Sequence, residues 1–222
     1  MADRPILFSA PMVLALLEGR KTQTRRVLKL SGRLPDFCGG RGDINDPTCW
    51  GWEDCDHGEW VTLEKEPGQR MGWRDWRGAY ASGDRLWVKE AWRTNAMWDR
   101  FAPSALTEVS RQSGRVSVLF EAGGALPGSV EASDAGRYRH ARFMPRWASR
   151  LTLTVTDVRV ERLQDISEAD AMAEGVETGL GADGPVAEYE TLWSHIHGPD
   201  AWDENPWVCA LTFEVRRGNI DG

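Results

Sequence analysis

The sequence predicts an α+β fold, a small mixed β-barrel that carries a few short helices and long loop insertions. An apolar run lies near each end of the chain, at 6–8 and at 207–215, and each is typical of a strand. Between them, strand patterns are separated by short helical patterns and long loops. Because strands and helices do not alternate regularly, a doubly wound parallel sheet is not expected. With 222 residues, the chain suits one domain with insertions.

The region after the first strand predicts a short helix over 10–18. Ser9 is a residue type that caps helices, Pro11 suits the first turn, and Gly19 suits the position just after the last turn. Apolar residues between these signals supply a surface for packing. The end of this helix leads directly into a basic run at 19–26.

Two long stretches in the middle of the chain lack a periodic apolar pattern, and we interpret both as insertions. Residues 31–82 are rich in Gly, Asp, Pro and Trp, and we expect a long irregular insertion that is partly ordered by its aromatic residues. Alternation over 85–92 then predicts a strand. The second insertion, at 94–136, is loop-rich; 94–113 is expected to be irregular, and 116–120 alternates as a short strand does.

The C-terminal part gives clearer signals. Residues 151–160 alternate strictly and contain many β-branched side chains, which predicts the most certain strand of the chain. Ser167 followed by Asp170 resembles a capping box, which predicts a helix over 168–174. An apolar stripe at helical spacing predicts another helix over 185–197.

The charge is unevenly distributed along the chain. The net charge is −7, and residues 151–222 hold fifteen acids against four arginines. Residues 1–33, in contrast, hold seven Lys and Arg against two acids, and residues 137–150 hold five arginines and no acid. Two local basic patches on an acidic protein favour a compact anionic ligand over a long nucleic-acid duplex.

The sequence predicts a cytoplasmic protein, from its lack of targeting patterns and from its cysteine content. No apolar run is long enough for a membrane span, and the N-terminus lacks the layout of a signal peptide. Four cysteines without a secretion signal suit a reducing compartment, so disulfides are not expected. Cys38, Cys49, Cys55 and His57 are candidate ligands of a structural zinc ion, although their spacing lacks the paired two-residue knuckle. No other cofactor is predicted, and the oligomeric state is open.

The basic run at 19–26 places four cations and two hydroxyls in eight residues. Like-charge repulsion disfavours the charged form of Lys21, which would make its amine a usable base, and Thr24 supplies a hydroxyl that such a base could activate. If 21–24 were one continuous strand, these two side chains would point to opposite faces, so catalysis requires a turn or bulge there. Phosphate binding without chemistry, or a solvated turn after a helix, are the alternatives.

The order of the motifs resembles the ASCH domain family, and the likeness is strongest to versions from phages and prophages. It is carried by the Gly-Arg-Lys-Thr-x-Thr-x-Arg run at 19–26, Gly-Asp-x-Leu-x-Val at 83–88, Ser-Glu-x-Asp-Ala-x-x-Glu-Gly at 167–175, and Met-Pro-Arg-Trp-Ala-Ser-Arg at 144–150. The resemblance implies a single ASCH-like domain over 1–222, folded as a PUA-like β-barrel with a cleft lined by the motif after the helix.

The resemblance also implies partners and chemistry. Family members are thought to bind RNA or modified nucleosides, and one branch hydrolyses N4-acetylcytidine with a Lys base, a Thr nucleophile and a Glu proton donor. These roles match Lys21, Thr24 and Glu174 here. Three functions therefore stay open at this stage: an amidohydrolase acting on N4-acetylcytidine or a related modified base, a non-catalytic reader of RNA or modified DNA, and a ribonuclease. No pair of histidines placed as acid and base supports the third.

The remaining binding candidates are basic and aromatic side chains. Arg20, Arg25 and Arg26 belong to the basic run and would contact phosphate. Arg146 and Trp147 would place a guanidinium on a phosphate and an indole on a base. The alternative for the second pair is a structural lead-in to the long strand, with the arginine in a salt bridge and the tryptophan buried.

Overall fold

A computed structural model describes residues 2–28, 36–38, 42, 49–54, 59–62, 80–113, 116–123, 134–177 and 184–222. It is a mixed α+β structure with mostly antiparallel pairing. The described strands are β1 (Asp3–Leu7), β2 (Gln23–Val27), β3 (Asp36–Phe37), β4 (Trp50–Asp54), β5 (Glu59–Thr62), β6 (Arg85–Lys89), β7 (Trp92–Arg93), β8 (Leu119–Phe120), β9 (Leu151–Arg162) and β10 (Trp207–Arg217). The described α-helices are α1 (Ala10–Leu17), α2 (Pro103–Ser113), α3 (Glu168–Ala173) and α4 (Gly184–His197).

The chain divides into two compact units, and the first comprises Met1–Thr22, Ser82–Thr156 and Phe213–Gly222. Its sheet contains one parallel pair, β1 with β6, and β6 continues antiparallel to β9. On the other side of β9, the Thr152 hydroxyl donates to the Gly218 carbonyl. A small antiparallel pair, β7 with β8, lies in the same unit.

Helix α1 forms close to its predicted bounds, and its end determines how the chain continues. Gly19 adopts a φ of 76°, the left-handed conformation that glycine takes without a steric penalty. The backbone N–H groups of Arg20 and Lys21 both donate to the Ala15 carbonyl. These bonds hold the first residues of the basic run against the last turn of α1.

The first unit has a core built around Trp92 and Leu106, both fully buried. Leu106 lies on α2, so the expectation of an irregular stretch over 94–113 is wrong in its second half. Pro103 is well placed at the start of that helix, because its missing N–H is not needed there. The helical spacing of Leu106 and Val109 was present, but polar residues around it left too few apolar positions to indicate a helix.

The second unit comprises Gln23–Ala81 and Asp157–Thr212. Here β2 pairs antiparallel with β10, and Leu163 N donates to the Pro206 carbonyl where the ends of β9 and β10 meet. Strands β3, β4 and β5 form a separate antiparallel sheet within the predicted insertion at 31–82. The expectation of an irregular insertion is therefore wrong for these three strands. Much of the remaining stretch lies outside the described residues.

Helices α3 and α4 carry the core of the second unit. The Ser167 hydroxyl accepts from the backbone N–H of Asp170 at 3.1 Å, so the predicted cap is confirmed. Tyr189 and Trp193 of α4 are buried against Leu163 and Val208. Both helices lie within one residue of their predicted bounds.

The α+β class with a few helices is confirmed, whereas the described residues do not show a closed barrel. The PUA-like barrel and the single-domain organisation stay predictions. Within the described part of the chain, no helix is both long and apolar enough to cross a membrane.

Candidate functional site

Lys21 is a buried cation that follows α1 in the first unit. Its residue is only 2% exposed, and its Nζ lies 5.6 Å from the centroid of the Phe8 ring. The neighbouring Thr22 is exposed. Lysine is rarely buried because removing an ammonium from water is costly, so burial of this side chain is unusual for a residue outside helices and strands.

Thr24 lies in β2, which begins only at Gln23. The stretch from Lys21 to Thr24 is therefore not one continuous strand, but neither Lys21 nor Thr22 lies in a turn. The turn or bulge that catalysis requires stays a prediction. Gln23, Thr24 and Arg25 are all buried although consecutive strand residues point to opposite faces. Both faces of β2 are thus covered at this point, and polar side chains occupy both.

Arg25 is held by three carboxylates in the second unit. Its Nε donates to Glu161 at 2.9 Å and its Nη1 to Glu174 at 3.3 Å, while its Nη2 lies 3.4 Å from an oxygen of Asp170. Nη2 also lies 2.7 Å from Glu161, a close ionic contact that lacks hydrogen-bond geometry. The side chain of Arg25 has no exposed surface.

A second arginine completes this group. Arg159 contacts Asp170 at 3.2 Å and Glu161 at 3.4 Å. We call the five residues the Arg25 cluster: Arg25, Arg159, Glu161, Asp170 and Glu174. Two cations and three carboxylates leave it with one formal negative charge. Arg25 and Glu174 are buried and Arg159 is partly exposed, so the cost of an unpaired charge is greatest at the first two.

Glu174 caps the C-terminal end of α3 and is 3% exposed. This acid at the end of a helix is therefore not exposed to solvent. Burial raises the pKa of the Tyr189 hydroxyl above its usual range, and the nearby Glu174 carboxylate, to which that hydroxyl donates, adds to the shift. Glu174 thus has both a guanidinium and a phenol as neighbours.

Asp170 links the helix cap to the cluster. Burial acts to raise its pKa, but hydrogen bonds from Gln23, Ser167 and Arg159 outweigh burial and hold the pKa below the usual value. The side chain therefore favours its charged form in the folded protein. Ser167 both caps α3 and helps to keep this carboxylate ionised.

The other cations of the basic run do not form an open basic surface. Arg20 pairs with Glu18 at 2.6 Å, and Arg26 is half-buried. Burial, followed by the charge of Arg26, lowers the pKa of His197, whose ring lies 4.2 Å from that of Trp193. In this structure Arg25 has carboxylates where the sequence predicted phosphate.

Arg146 and Trp147 have the contacts expected of a structural lead-in to β9. The Arg146 guanidinium contacts Asp3 at 2.6 Å and donates to Asp221 at 2.9 Å. The Trp147 indole donates to the Thr107 hydroxyl at 3.2 Å and packs against the core of the first unit. Their role in binding nucleic acid stays a prediction without a contact that favours it.

Of the four zinc candidates, the structure describes Cys38 and Cys49. The Cys38 thiol donates to the Cys49 carbonyl at 3.3 Å, and burial raises the pKa of that thiol. Cys55 and His57 lie outside the described residues. In the part of the chain that the structure covers, no three His, Cys, Asp or Glu residues are grouped as a metal site would require.

Sequence reasoning missed four members of this site: Arg159, Glu161, Asp170 as a charged partner, and Tyr189. One signal was present. Arg159 and Glu161 alternate on β9, so they share a face of that strand. Their partner Arg25 is 136 residues away from Glu161, and nothing local in the sequence connects the two.

Comparisons with known proteins add little. No family model matches the chain, and no curated protein matches it. The chain is similar to protein EF3133 from Enterococcus faecalis, whose crystal structure is described with the family model DUF984. The two share 12% sequence identity with a TM-score of 0.38, over 99% of this chain and 83% of the other. A likeness at this level carries no argument about fold or function.

Proposed function

We propose that this chain is an ASCH-type protein that binds a modified nucleoside, alone or within RNA, and hydrolyses the amide of an N4-acylated cytidine. Lys21 acts as the base, Thr24 as the nucleophile and Glu174 as the proton donor. One observation carries the proposal: all three side chains are buried, whereas Thr22 in the same run is exposed. The family resemblance supplies the substrate class.

Burial supports chemistry for a physical reason. An amine, a hydroxyl and a carboxylate removed from water interact more strongly with a bound substrate than the same groups at the surface do. Water is also kept from competing with Thr24 for the acyl group. A run of exposed cations would have supported simple phosphate binding instead.

The reaction balances as two acyl transfers. The neutral amine of Lys21 removes the proton of the Thr24 hydroxyl as Oγ attacks the acyl carbonyl carbon. The C–N bond then breaks, and the proton taken from Thr24 is passed by Glu174 to the exocyclic amine, so that cytidine leaves. Water then attacks the acyl-threonine ester, one of its protons returns to the Thr24 oxygen, and the carboxylic acid is released. Backbone amides or Arg26 would stabilise the oxyanion.

A second function has an observation of its own. Glu174 contacts the Arg25 guanidinium and accepts a hydrogen bond from Tyr189. These two contacts hold the carboxylate in a fixed position, as a binding residue requires. A protein that recognises the modified base without turnover would need this carboxylate as a fixed acceptor. The reader function therefore predicts binding without hydrolysis.

The test is release of cytidine from N4-acetylcytidine, followed by liquid chromatography. We expect turnover with the wild type, and a loss of about a hundredfold or more in Thr24→Ala, Lys21→Met and Glu174→Gln, each of which removes a proton-transfer group or the nucleophile. Thr22→Ala is the matched control, because this exposed threonine lies two residues from Thr24. It is expected to keep full activity.

Two results would contradict hydrolysis. Full activity in both the Lys21 and Thr24 variants would exclude the mechanism. A wild type that binds N4-acetylcytidine in calorimetry but releases no cytidine would establish the reader in its place. Circular dichroism of each variant confirms that a loss of activity is not a loss of fold.

A further inference from the structure

A second basic stretch, at 137–143, is mostly exposed, whereas Lys21 and Arg25 of the first stretch are buried. It contains three arginines, one histidine and two aromatic residues, with no acid. We call its side chains the Arg137 surface: Arg137, Tyr138, Arg139, His140, Arg142 and Phe143. All of them belong to the first unit, and none has a role in the proposed reaction.

Two aromatic residues of this surface are exposed to solvent. Tyr138 is 47% exposed and Phe143 is 53% exposed. The Arg142 guanidinium lies 4.7 Å from the centroid of the Phe143 ring, and that of Arg93 lies 5.7 Å from the Tyr138 ring. Exposed rings with cations over them are the arrangement on which nucleobases stack.

A cavity of about 300 Å³ opens beside these rings. It is lined by Pro103 and by five members of the Arg137 surface: Arg137, Tyr138, Arg139, His140 and Phe143. Its volume lies at the lower end of the range of small-ligand pockets, which is about 300–1,000 Å³. Its lining combines aromatic rings with cations, which suits a flat, polar and anionic ligand.

Arg139 lines this cavity and is anchored by hydrogen bonds. It is buried, and its guanidinium donates to the carbonyls of Phe101 and Trp98, at 3.2 Å each. Its backbone exchanges hydrogen bonds with Trp92. Its buried Nε has no acceptor in this structure. Arg139 therefore holds this wall of the cavity in place through its bonds to two neighbouring carbonyls.

The outer arginines are available for phosphate. Among the described residues, neither Arg137 nor Arg142 has a carboxylate within 4.0 Å. The Asp99 carboxylate accepts from the backbone N–H of Arg137 at 3.0 Å and lies 3.7 Å from the guanidinium of Arg139. Asp99 therefore holds the loop and leaves the Arg137 guanidinium uncompensated.

We propose that the Arg137 surface binds a single-stranded segment of nucleic acid, with bases stacked on Tyr138 and Phe143 and phosphates on Arg137 and Arg142. A duplex fits poorly, because its bases are already stacked on one another. The net charge of −7 also disfavours a long charged duplex. This inference does not depend on turnover at Lys21 and Thr24.

The experiment measures fluorescence anisotropy of labelled oligo(U) and oligo(dT) strands of about twelve nucleotides, a length within the range bound by single-strand proteins. We expect the Tyr138→Ala/Phe143→Ala variant to bind roughly tenfold or more weakly. We expect Arg137→Gln/Arg142→Gln to reduce the slope of log affinity against log salt by about 1.4, since each phosphate contact contributes about 0.7.

Matched controls lie elsewhere on the chain. Phe37→Ala removes an exposed ring, and Arg111→Gln removes an exposed arginine on α2. Both are expected to bind both strands as the wild type does. The RNA and DNA arms show which sugar is preferred, and either preference is consistent with the same surface.

Three outcomes would overturn the proposal. The surface variants could bind as tightly as the wild type, a duplex of the same length could bind more tightly than the strands, or poly-glutamate could displace oligo(U) as well as unlabelled oligo(U) does. The last would identify a general site for acidic chains. Loss of strand binding in the surface variants supports this proposal even where the wild type shows no hydrolysis, so the two proposals fail separately.

Discussion

The basic stretches at 20–26 and 137–143 are both rich in arginine, but the structure gives them opposite environments. In the first, Lys21 and Arg25 are buried, and Arg20 pairs with a neighbouring glutamate. In the second, Arg137 and Arg142 are exposed. The two stretches have a similar density of cations in the sequence, so this density does not predict whether a given cation is buried or exposed.

The difference arises from the elements that carry the two stretches. Arg25 lies in β2, a strand with both faces covered, and three acids from β9 and α3 compensate for its burial. The 137–143 stretch instead contains an isolated β-bridge at Arg139 and a 3₁₀ turn at Ala141–Phe143. Of its arginines, Arg139 turns inward, towards the carbonyls of Phe101 and Trp98. The buried Arg25 is therefore paired with acids of its own fold, while the exposed Arg137 and Arg142 are left for a ligand.

The largest expected effect comes from Arg25→Met. Removing this cation leaves the carboxylates of the Arg25 cluster without their main partner, and we expect a loss of about 3–5 kcal/mol in the free energy of unfolding. Urea denaturation measures it. Arg25→Lys keeps the charge but loses the planar fork, so an intermediate loss is expected. A variant as stable as the wild type would show that the cluster does not support the fold.

Acid should weaken the second unit through Asp170. Its pKa is lowered in the folded protein, so its contribution is complete above the unfolded value of about 3.9 and is lost as the pH falls through the folded value. Urea midpoints between about pH 5 and 2 measure this loss. Asp170→Asn should be less stable at neutral pH and should lose less as the pH falls. If the urea midpoint fell equally with decreasing pH in the wild type and in Asp170→Asn, Asp170 would not be the group responsible.

A smaller effect is expected from Asp99→Ala in the loop of the Arg137 surface. The variant loses the acceptor for the Arg137 backbone N–H, and we expect a cost of about 1 kcal/mol. Urea denaturation measures this cost. Met97→Ala, an exposed change two residues away, is the control. Equal stability of the two variants would show that Asp99 does not hold this loop.

The smallest effect is expected from Arg142→Met, the exposed counterpart of Arg25→Met. No carboxylate partner is lost among the described residues, so the free energy of unfolding should change by less than about 0.5 kcal/mol. The same urea experiment compares the two variants directly. A cost close to that of Arg25→Met would remove the distinction between the buried and the exposed stretch.

Local signals in the sequence determined much of the secondary structure. Alternation predicted β9, a serine cap predicted α3, and glycine at position 19 predicted the end of α1, because each depends on residues within a few positions. Helix α2 was missed because its apolar residues are few, and the β3–β4–β5 sheet because its strands are short and separated by Gly-, Asp- and Pro-rich sequence. The chemical types of the candidate site were also visible, as Lys21, Thr24 and Glu174.

Only the tertiary structure decided which of these charges are buried and which are exposed. Arg25 and Glu174 are 149 residues apart, and the cost of burying either depends on the other. The free energy of a charge is set by the partners and the solvent around it in three dimensions. A one-dimensional pattern contains the residue types but not that environment.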